Sequence, residues 1–259
     1  MPYKKPLILV TNDDGVSAPG LEALASAMRE IGRVIIFAPD RDNSAASHSL
    51  TMNRPLRVRE MAEDIFSIDG TPTDCVTIAI GKIMTEKPDL VVSGINPGGN
   101  LGDDISYSGT VSAAIEGTML GVPSFAVSMA GELPFLFATA AAFARRLALV
   151  VLEKGLPIDT LLNVNVPNLP KKEIQGVSFS RQGKRVYADA IKDTLDPWGR
   201  KHFWIGGGTP SWGTEPDTDA ALVFAGRISI TPIHMDRTNH EALTRLQEEW
   251  SGLSGWTQF

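Results

Sequence analysis

Leu7-Ile8-Leu9-Val10-Thr11-Asn12-Asp13-Asp14-Gly15 is a short apolar run that ends at two adjacent carboxylates and a glycine. Its apolar residues do not alternate with polar ones, which is typical of a central parallel strand covered on both faces. In open α/β sheets, ligands bind in the crevice outside the carboxyl ends of such strands. Two neighbouring carboxylates there repel each other, so their ionisation favours a bound divalent cation. An ordinary Asn-Asp-Asp-Gly turn explains the same residues equally well.

After this stretch the chain alternates between strand-like and helix-like patterns as far as residue 167. The predicted strands cover residues 33–39, 54–60, 64–68, 89–96, 124–129 and 161–166. The predicted helices cover residues 19–31, 71–83, 110–120 and 135–154. This alternation predicts a doubly wound, mostly parallel sheet between two helix layers, a Rossmann-like α/β/α fold in which residues 54–68 lie at one side of the sheet.

The alternation ends beyond Pro167. The predicted strands of the final third cover residues 177–181, 201–206 and 222–233, and only the helix over 240–250 restores helical spacing. These patterns predict antiparallel additions to the parent sheet. Because no linker separates the parts, we expect one domain over 1–259, with 1–167 as the doubly wound core and 168–259 as its C-terminal additions.

Residues from about 183 to 219 form an excursion within these additions. Trp198, Trp204 and Trp212 lie there, among glycines and prolines that leave little regular structure to bury them. We therefore expect the excursion to protrude and to pack against another copy of the chain.

Composition excludes several classes of protein and site. The chain has 24 basic and 30 acidic residues, a net charge of −6, which argues against binding to a nucleic acid duplex. Cys75 is the single cysteine, so an intrachain disulfide and a cysteine-based zinc site are excluded. The most apolar long segment, 133–152, is interrupted by Arg145 and Arg146, which predicts a core helix and not a membrane span. We expect a cytoplasmic protein without a membrane partner.

Four loops follow predicted parallel strands or open the next helix, and we expect them to converge at one sheet edge. They contain Asp13 and Asp14, residues 40–49, Asn96 with its glycine-rich continuation, and residues 107–110. Carboxylate, hydroxyl and amide oxygens are hard ligands that suit Mg²⁺ or Mn²⁺. The four histidines lack zinc-type spacing and favour structural or surface roles.

Ser106-Tyr107-Ser108-Gly109-Thr110 directly precedes a predicted helix. The backbone N–H groups of a helix N-terminus and the positive end of its dipole form an anion site. An ordinary Ser or Thr N-cap is the alternative explanation, and it is the better one for the segment in isolation. Beside a metal site the anion site is favoured, because a cation next to an anion pocket is what a phosphate ester needs.

Several separated motifs occur in one order along nearly the whole chain. They are Val10-Thr11-Asn12-Asp13-Asp14-Gly15, Ser44, Gly70-Thr71-Pro72, Asp74-Cys75, Ser93-Gly94-Ile95-Asn96, Asn100-Leu101-Gly102, Tyr107-Ser108-Gly109-Thr110-Val111 and, more loosely, Asp196-Pro197 to Gly206 and Ser229-Ile230-Thr231-Pro232. Together they resemble the SurE family, the stationary-phase survival-protein nucleotidases. Motifs that occur in the family's order are more specific than any one of them.

This resemblance implies a cytoplasmic, metal-dependent phosphatase of nucleoside 5′- and 3′-monophosphates, in which some members also trim short polyphosphate. It implies one Mg²⁺ or Mn²⁺ ion per subunit, a metal-bound water that attacks phosphorus, and a homodimer or homotetramer formed through the C-terminal part. The implied metal ligands are Asp13, Asp14, Ser44 and Asn96, with Asp13 and Asp14 also catalytic. The implied phosphate-binding residues are Asn100, Ser108, Gly109 and Thr110.

One departure from the family's pattern concerns Ala45, where a glycine often follows the ligand serine. If position 45 needs a positive φ, alanine costs stability or shifts Ser44.

Two other classes of protein fit parts of this pattern. A receiver-like phosphoacceptor module also has an acidic pair after its first strand, but it carries an acceptor aspartate after a later strand. Here that strand ends in Ser93-Gly94-Ile95-Asn96. A nucleotide-binding protein without catalysis would tolerate the same pocket, and the sequence does not separate it from a hydrolase.

Overall fold

A computed structural model describes residues 5–186, 191–205 and 211–251. The strands are β1 (Leu7–Thr11), β2 (Arg33–Pro39), β3 (Val58–Ala62), β4 (Ile65–Ile68), β5 (Leu90–Pro97), β6 (Ser124–Ala130), β7 (Thr160–Pro167), β8 (Val177–Phe179), β9 (Arg185–Val186), β10 (Ile191–Leu195), β11 (Lys201–Ile205), β12 (Ser211–Trp212) and β13 (Ile228–His234). The helices are α1 (Pro19–Arg29), α2 (Pro72–Ile78), α3 (Gly109–Met119), α4 (Phe137–Lys154), α5 (Asp219–Phe224) and α6 (His240–Glu249).

Nine strands form one sheet in the order β3-β4-β2-β1-β5-β6-β7-β13-β8. Strands β4, β2, β1, β5, β6 and β7 run parallel to one another. Strand β13 joins β7 antiparallel, and β3 joins β4 antiparallel at the other side. The predicted α/β/α fold with antiparallel C-terminal additions is therefore confirmed.

Strand β1 is buried on both faces, as its continuous apolar run predicts. Ile8 and Val10 belong to the core cluster that includes residues of α1 and α4. Leu7 and Leu9 belong to the cluster on the other face, which includes residues of α2. Burying both faces leaves only the strand ends accessible, so polar residues after Thr11 emerge at the sheet edge.

The prediction of a strand over 222–233 is wrong in its first part, and α6 is therefore not the only helix of the C-terminal additions. Residues up to Phe224 belong to α5, and β13 begins at Ile228. An apolar Leu-Val-Phe run favours a strand locally, but packing of Val223 against Leu101 selects the helix. The helix ends where Gly226 adopts a φ of 73°.

The predicted excursion contains two small sheets that are separate from the main one. Strands β10 and β11 form an antiparallel hairpin, and β9 pairs with β12. Trp212 of β12 is partly buried against Leu101, Ala220 and Val223 of the same chain, so the expectation that the excursion cannot bury this tryptophan locally is wrong. Residues 187–190 and 206–210 of the excursion lie outside the described residues. The division into a single domain with a protruding excursion stays a prediction. Over the described ranges, no helix has the length and apolar character needed to cross a membrane.

Candidate metal and phosphate site

One cavity of about 960 Å³ opens at the carboxyl ends of β1 and β5. These strands are parallel neighbours, with Thr11 paired to Ser93 in register. Six of the eight predicted site residues line this cavity: Asp13, Asp14, Ser44, Asn96, Asn100 and Ser108. The other two, Gly109 and Thr110, begin α3 and contact Asp13.

The carboxylates of Asp13 and Asp14 lie in an environment that disfavours their ionised forms. Burial raises the pKa of Asp13, although Thr110 Oγ1 donates a hydrogen bond of 2.5 Å to Asp13 Oδ1. Burial, with the charges of Asp13 and Asp42, raises the pKa of Asp14 to about 7. The Oδ2 atom of Asp14 is buried without a hydrogen-bond partner among the described residues. A buried carboxylate oxygen that lacks a donor suits a cation, which would restore the ordinary ionisation of both groups.

The raised pKa of Asp14 predicts the pH dependence of the metal-free protein. Between the unfolded-state value of 3.8 and the folded-state value of about 7, the folded protein holds a proton that the unfolded chain has released. The free energy of unfolding should therefore fall as pH rises through that window. Urea denaturation in chelator, at about pH 5 and about pH 8, should show a smaller fall for Asp14→Asn than for wild type. Equal falls would contradict this assignment.

Ser44 lies in a turn organised by Asp42. The Oδ1 atom of Asp42 accepts hydrogen bonds from Ser44 N at 2.7 Å and from Ser44 Oγ at 2.6 Å. Asn43 N donates to Asp13 O at 2.8 Å, which ties the turn to the acidic pair. Ala45 does adopt a positive φ, 59°, so its side chain carries strain that a glycine would avoid. Sequence reasoning missed Asp42, although an aspartate two residues before a serine is a turn signal.

Asn96 reaches the cavity from the end of β5. Its Nδ2 donates to Gly98 O at 2.7 Å, which commits the nitrogen to the following turn. The amide oxygen is then the atom of this side chain that suits a cation.

Helix α3 starts against the acidic pair. Ser108 is its N-cap, and Ser108 Oγ accepts from Val111 N at 3.1 Å. An added Cβ on Gly109 would lie 2.7 Å from the Cβ of Asp13, so glycine permits this close approach. The N-terminus of α3 and the candidate metal carboxylate are therefore in direct contact, and the N-cap and anion-site interpretations are compatible.

Asn100 is fixed by buried residues that sequence reasoning missed. Asn165 Oδ1 accepts from Asn100 N at 2.8 Å, and Asn165 Nδ2 donates to Asn100 O at 3.0 Å. Asn163 Nδ2 donates to the same carbonyl at 2.8 Å. Asn100 Nδ2 donates to Ser128 Oγ at 2.8 Å, and its second hydrogen can reach a ligand. The available signal was two asparagines inside the predicted buried strand 161–166, where polar side chains need a specific partner.

A comparison with protein-family models decides the family. The model described as survival protein SurE matches residues 8–189. The chain belongs to the SurE family. Within it, a protein named 5′-nucleotidase SurE from Geobacter sulfurreducens is 54% identical over 241 residues, which are 93% of this chain and 92% of that protein. Another of the same name, from Moorella thermoacetica, is 49% identical over 239 residues, 90% of this chain and 92% of the relative.

A solved member of the SurE family has the same fold. The crystal structure of the SurE protein from Aquifex aeolicus matches with a TM-score of 0.84 at 42% sequence identity. The match covers 95% of this chain and all of that chain. The resemblance inferred from separated motifs is thus confirmed for both the family and the fold.

Proposed function

We propose that this chain is a metal-dependent 5′-nucleotidase, which hydrolyses nucleoside 5′-monophosphates to nucleoside and phosphate. The proposal extends to 3′-monophosphates and to short polyphosphate as further substrates. Relatives that are about 50% identical to this chain over most of its length support the proposal, because they are named 5′-nucleotidase SurE. The observation that carries it is the unpartnered Asp14 Oδ2 beside the N-terminus of α3 in one cavity.

One divalent cation, Mg²⁺ or Mn²⁺, would be held by Asp13, Asp14, Ser44 and Asn96. These residues offer two carboxylates, a hydroxyl and an amide oxygen, the hard donors that both ions prefer. When bound, such a cation lowers the pKa of a water and offsets negative charge on phosphoryl oxygens.

The remaining site residues would bind and orient the phosphate. The backbone N–H of Gly109 is at the first turn of α3, where intrahelical acceptors are missing, and the N–H of Thr110 in the same turn also faces the Asp13 carboxylate. Ser108 Oγ accepts from Val111 N, and its own hydrogen can donate to a phosphoryl oxygen. Thr110 also fixes Asp13, so one short segment orients both the carboxylate and the anion.

Phosphate release from a panel of nucleoside monophosphates, with and without Mn²⁺ or Mg²⁺, tests the proposal. We expect release that requires added metal. Nucleotide binding by calorimetry without release at any metal concentration would instead identify a binding protein without catalysis. A stable phosphoprotein would identify a phosphoacceptor, although β5 delivers Asn96 where a receiver carries its acceptor aspartate.

Ser44→Ala should mainly raise the metal concentration needed for activity. A neutral hydroxyl contributes less to a hard cation than a carboxylate does, so the maximal rate should largely recover at high metal. Phosphate release measured across a metal titration checks this. An equal loss at every metal concentration would place Ser44 on the phosphate or the nucleophile instead.

The proposal includes a homodimer or homotetramer formed through the C-terminal part. Trp198, Phe203 and Trp204 in or beside the β10–β11 hairpin are exposed. Helix α6 likewise exposes Leu246, and Trp250 directly after the helix is exposed. Several large exposed apolar side chains along one short hairpin favour a surface that a partner covers. A cytoplasmic location stays a prediction.

Static light scattering at micromolar concentration should give at least twice the mass of one chain. Trp204→Glu should lower that mass, because it places a charge in the expected contact. A wild-type protein that remains monomeric would end the oligomer proposal without affecting the nucleotidase proposal.

A further inference from the structure

The residues that line the cavity fall into two chemical groups. The polar group includes the acidic pair and the other predicted ligands. The apolar group includes Tyr107, Ile191 and Ile205, which are 59%, 65% and 90% exposed. A nucleoside monophosphate has the same division, because a charged phosphate is joined through a sugar to a flat base whose ring faces are apolar. A volume of about 960 Å³ suits such a ligand, since small-molecule sites span roughly 300–1,000 Å³.

Tyr107 is placed beside the candidate phosphate segment by backbone contacts. Tyr107 O accepts from Ser47 N at 3.1 Å, and Tyr107 N donates to Asp104 O at 3.0 Å. Ser47 Oγ donates to Ser106 O at 2.8 Å. The main chain therefore fixes where the residue stands, while its side chain is more than half exposed at the cavity. An exposed aromatic ring next to a phosphate site is a natural stacking surface for a base.

Ile191 and Ile205 reach the same cavity from the C-terminal additions. They are register partners across β10 and β11, so their side chains leave the hairpin on one face. The hairpin thus contributes to a cavity whose polar residues all come from the first part of the chain.

We propose that the base of the substrate binds against these apolar lining residues, with the ring of Tyr107 as its stacking surface and Ile191 and Ile205 completing the apolar wall. The inference rests on the proposed function. It assigns a binding surface to the base, for which the metal and phosphate residues provide none. Stacking and apolar contact depend on the area of the base and not on its hydrogen-bonding pattern. Purine nucleotides should therefore bind more tightly than pyrimidine nucleotides, with little difference between adenine and guanine.

The test compares adenosine 5′-monophosphate with ribose 5-phosphate, which keeps the sugar and phosphate but lacks the base. In Tyr107→Ala, the kcat/KM ratio of the nucleotide to ribose 5-phosphate should fall about tenfold, because base–aromatic stacking has that magnitude. The loss should appear in KM for the nucleotide. Tyr107→Phe should restore the ratio, since stacking does not need the hydroxyl.

The hairpin offers a matched pair of variants. Ile205→Ala should lower the same ratio, by about threefold, because one aliphatic contact with the base is lost. Leu195→Ala removes the same number of carbon atoms from the same hairpin, but Leu195 does not line the cavity. In Leu195→Ala, the kcat/KM ratio of the nucleotide to ribose 5-phosphate should equal that of wild type. Light scattering on each variant separates this effect from a change of oligomeric state.

Two results would overturn the base site. One is an equal loss for both substrates in Tyr107→Ala, which would mean that Tyr107 orders the phosphate segment. The other is an altered mass in Ile205→Ala with an unchanged ratio, which would assign the hairpin face to a second copy of the chain. If wild type hydrolyses neither compound, the nucleotidase proposal fails separately. Calorimetric affinities of the two compounds, in wild type and Tyr107→Ala, then decide the base site alone.

Discussion

Asp13→Asn and Asp14→Asn should each abolish phosphate release while leaving the fold intact. Each substitution removes a carboxylate that a cation in this cavity would need, and loss of metal activation costs several kcal/mol of barrier, so less than roughly a tenth of wild-type activity should remain at saturating metal. Phosphate release over a metal titration gives the activity, and calorimetry with Mn²⁺ gives the binding. Retention of more than that fraction would remove these residues from the ligand set.

The same variants should not lose stability without metal. Burial raises the pKa of both groups, and the charge of Asp13 raises the pKa of Asp14 further. Replacing one by a neutral amide of similar size removes that repulsion, so the metal-free Tm should be unchanged or slightly higher. Asp159→Asn is a control, because Asp159 is exposed and asparagine tolerates its φ of 53°. A large fall in Tm for the site variants would indicate a structural role instead.

The sequence predicted the part of the fold and site in which local pattern and tertiary structure agree. The continuous apolar run before Asp13 could be satisfied only by burial on both faces, so β1 and its carboxyl end followed from the residues. The start of α2 followed from a capping box between Thr71 and Asp74, which the structure contains. Convergence of the predicted ligands followed from parallel strands ending at one edge.

The features that sequence reasoning missed depend on contacts between distant segments. Asn163 and Asn165 matter because they hold the backbone of Asn100, more than sixty residues away. Helix α5 forms because a contact with Leu101 overrides a strand-like run. The candidate site motifs all precede Val111, yet Ile205 lines the same cavity. None of these pairings has a local period, so a window of the sequence can mark Asn163 and Asn165 as unusual in a buried strand but cannot indicate the partner of either.

Gly109→Ala should lower activity by roughly a hundredfold, because small displacements of reacting groups have effects of that order. Gly109 begins α3, and alanine is the better helix former, so local propensity alone would favour the substitution. The contact with Asp13 opposes it. An added Cβ would lie 2.7 Å from the Cβ of Asp13 and 2.9 Å from its Oδ2. Asp13 is 4% exposed and hydrogen-bonded to Thr110, so it has little room to move aside.

Gly81→Ala is the matched control for this substitution, because an added Cβ there meets nothing within 4 Å. It should leave phosphate release at the wild-type level. Metal titrations of both variants should show a raised metal requirement only for Gly109→Ala, because this substitution displaces the Asp13 carboxylate and leaves the fold unchanged. Wild-type activity and metal affinity in Gly109→Ala would mean that Asp13 is not fixed against the start of α3. The contact between Gly109 and Asp13 would then not link the metal ligands to the phosphate-binding residues.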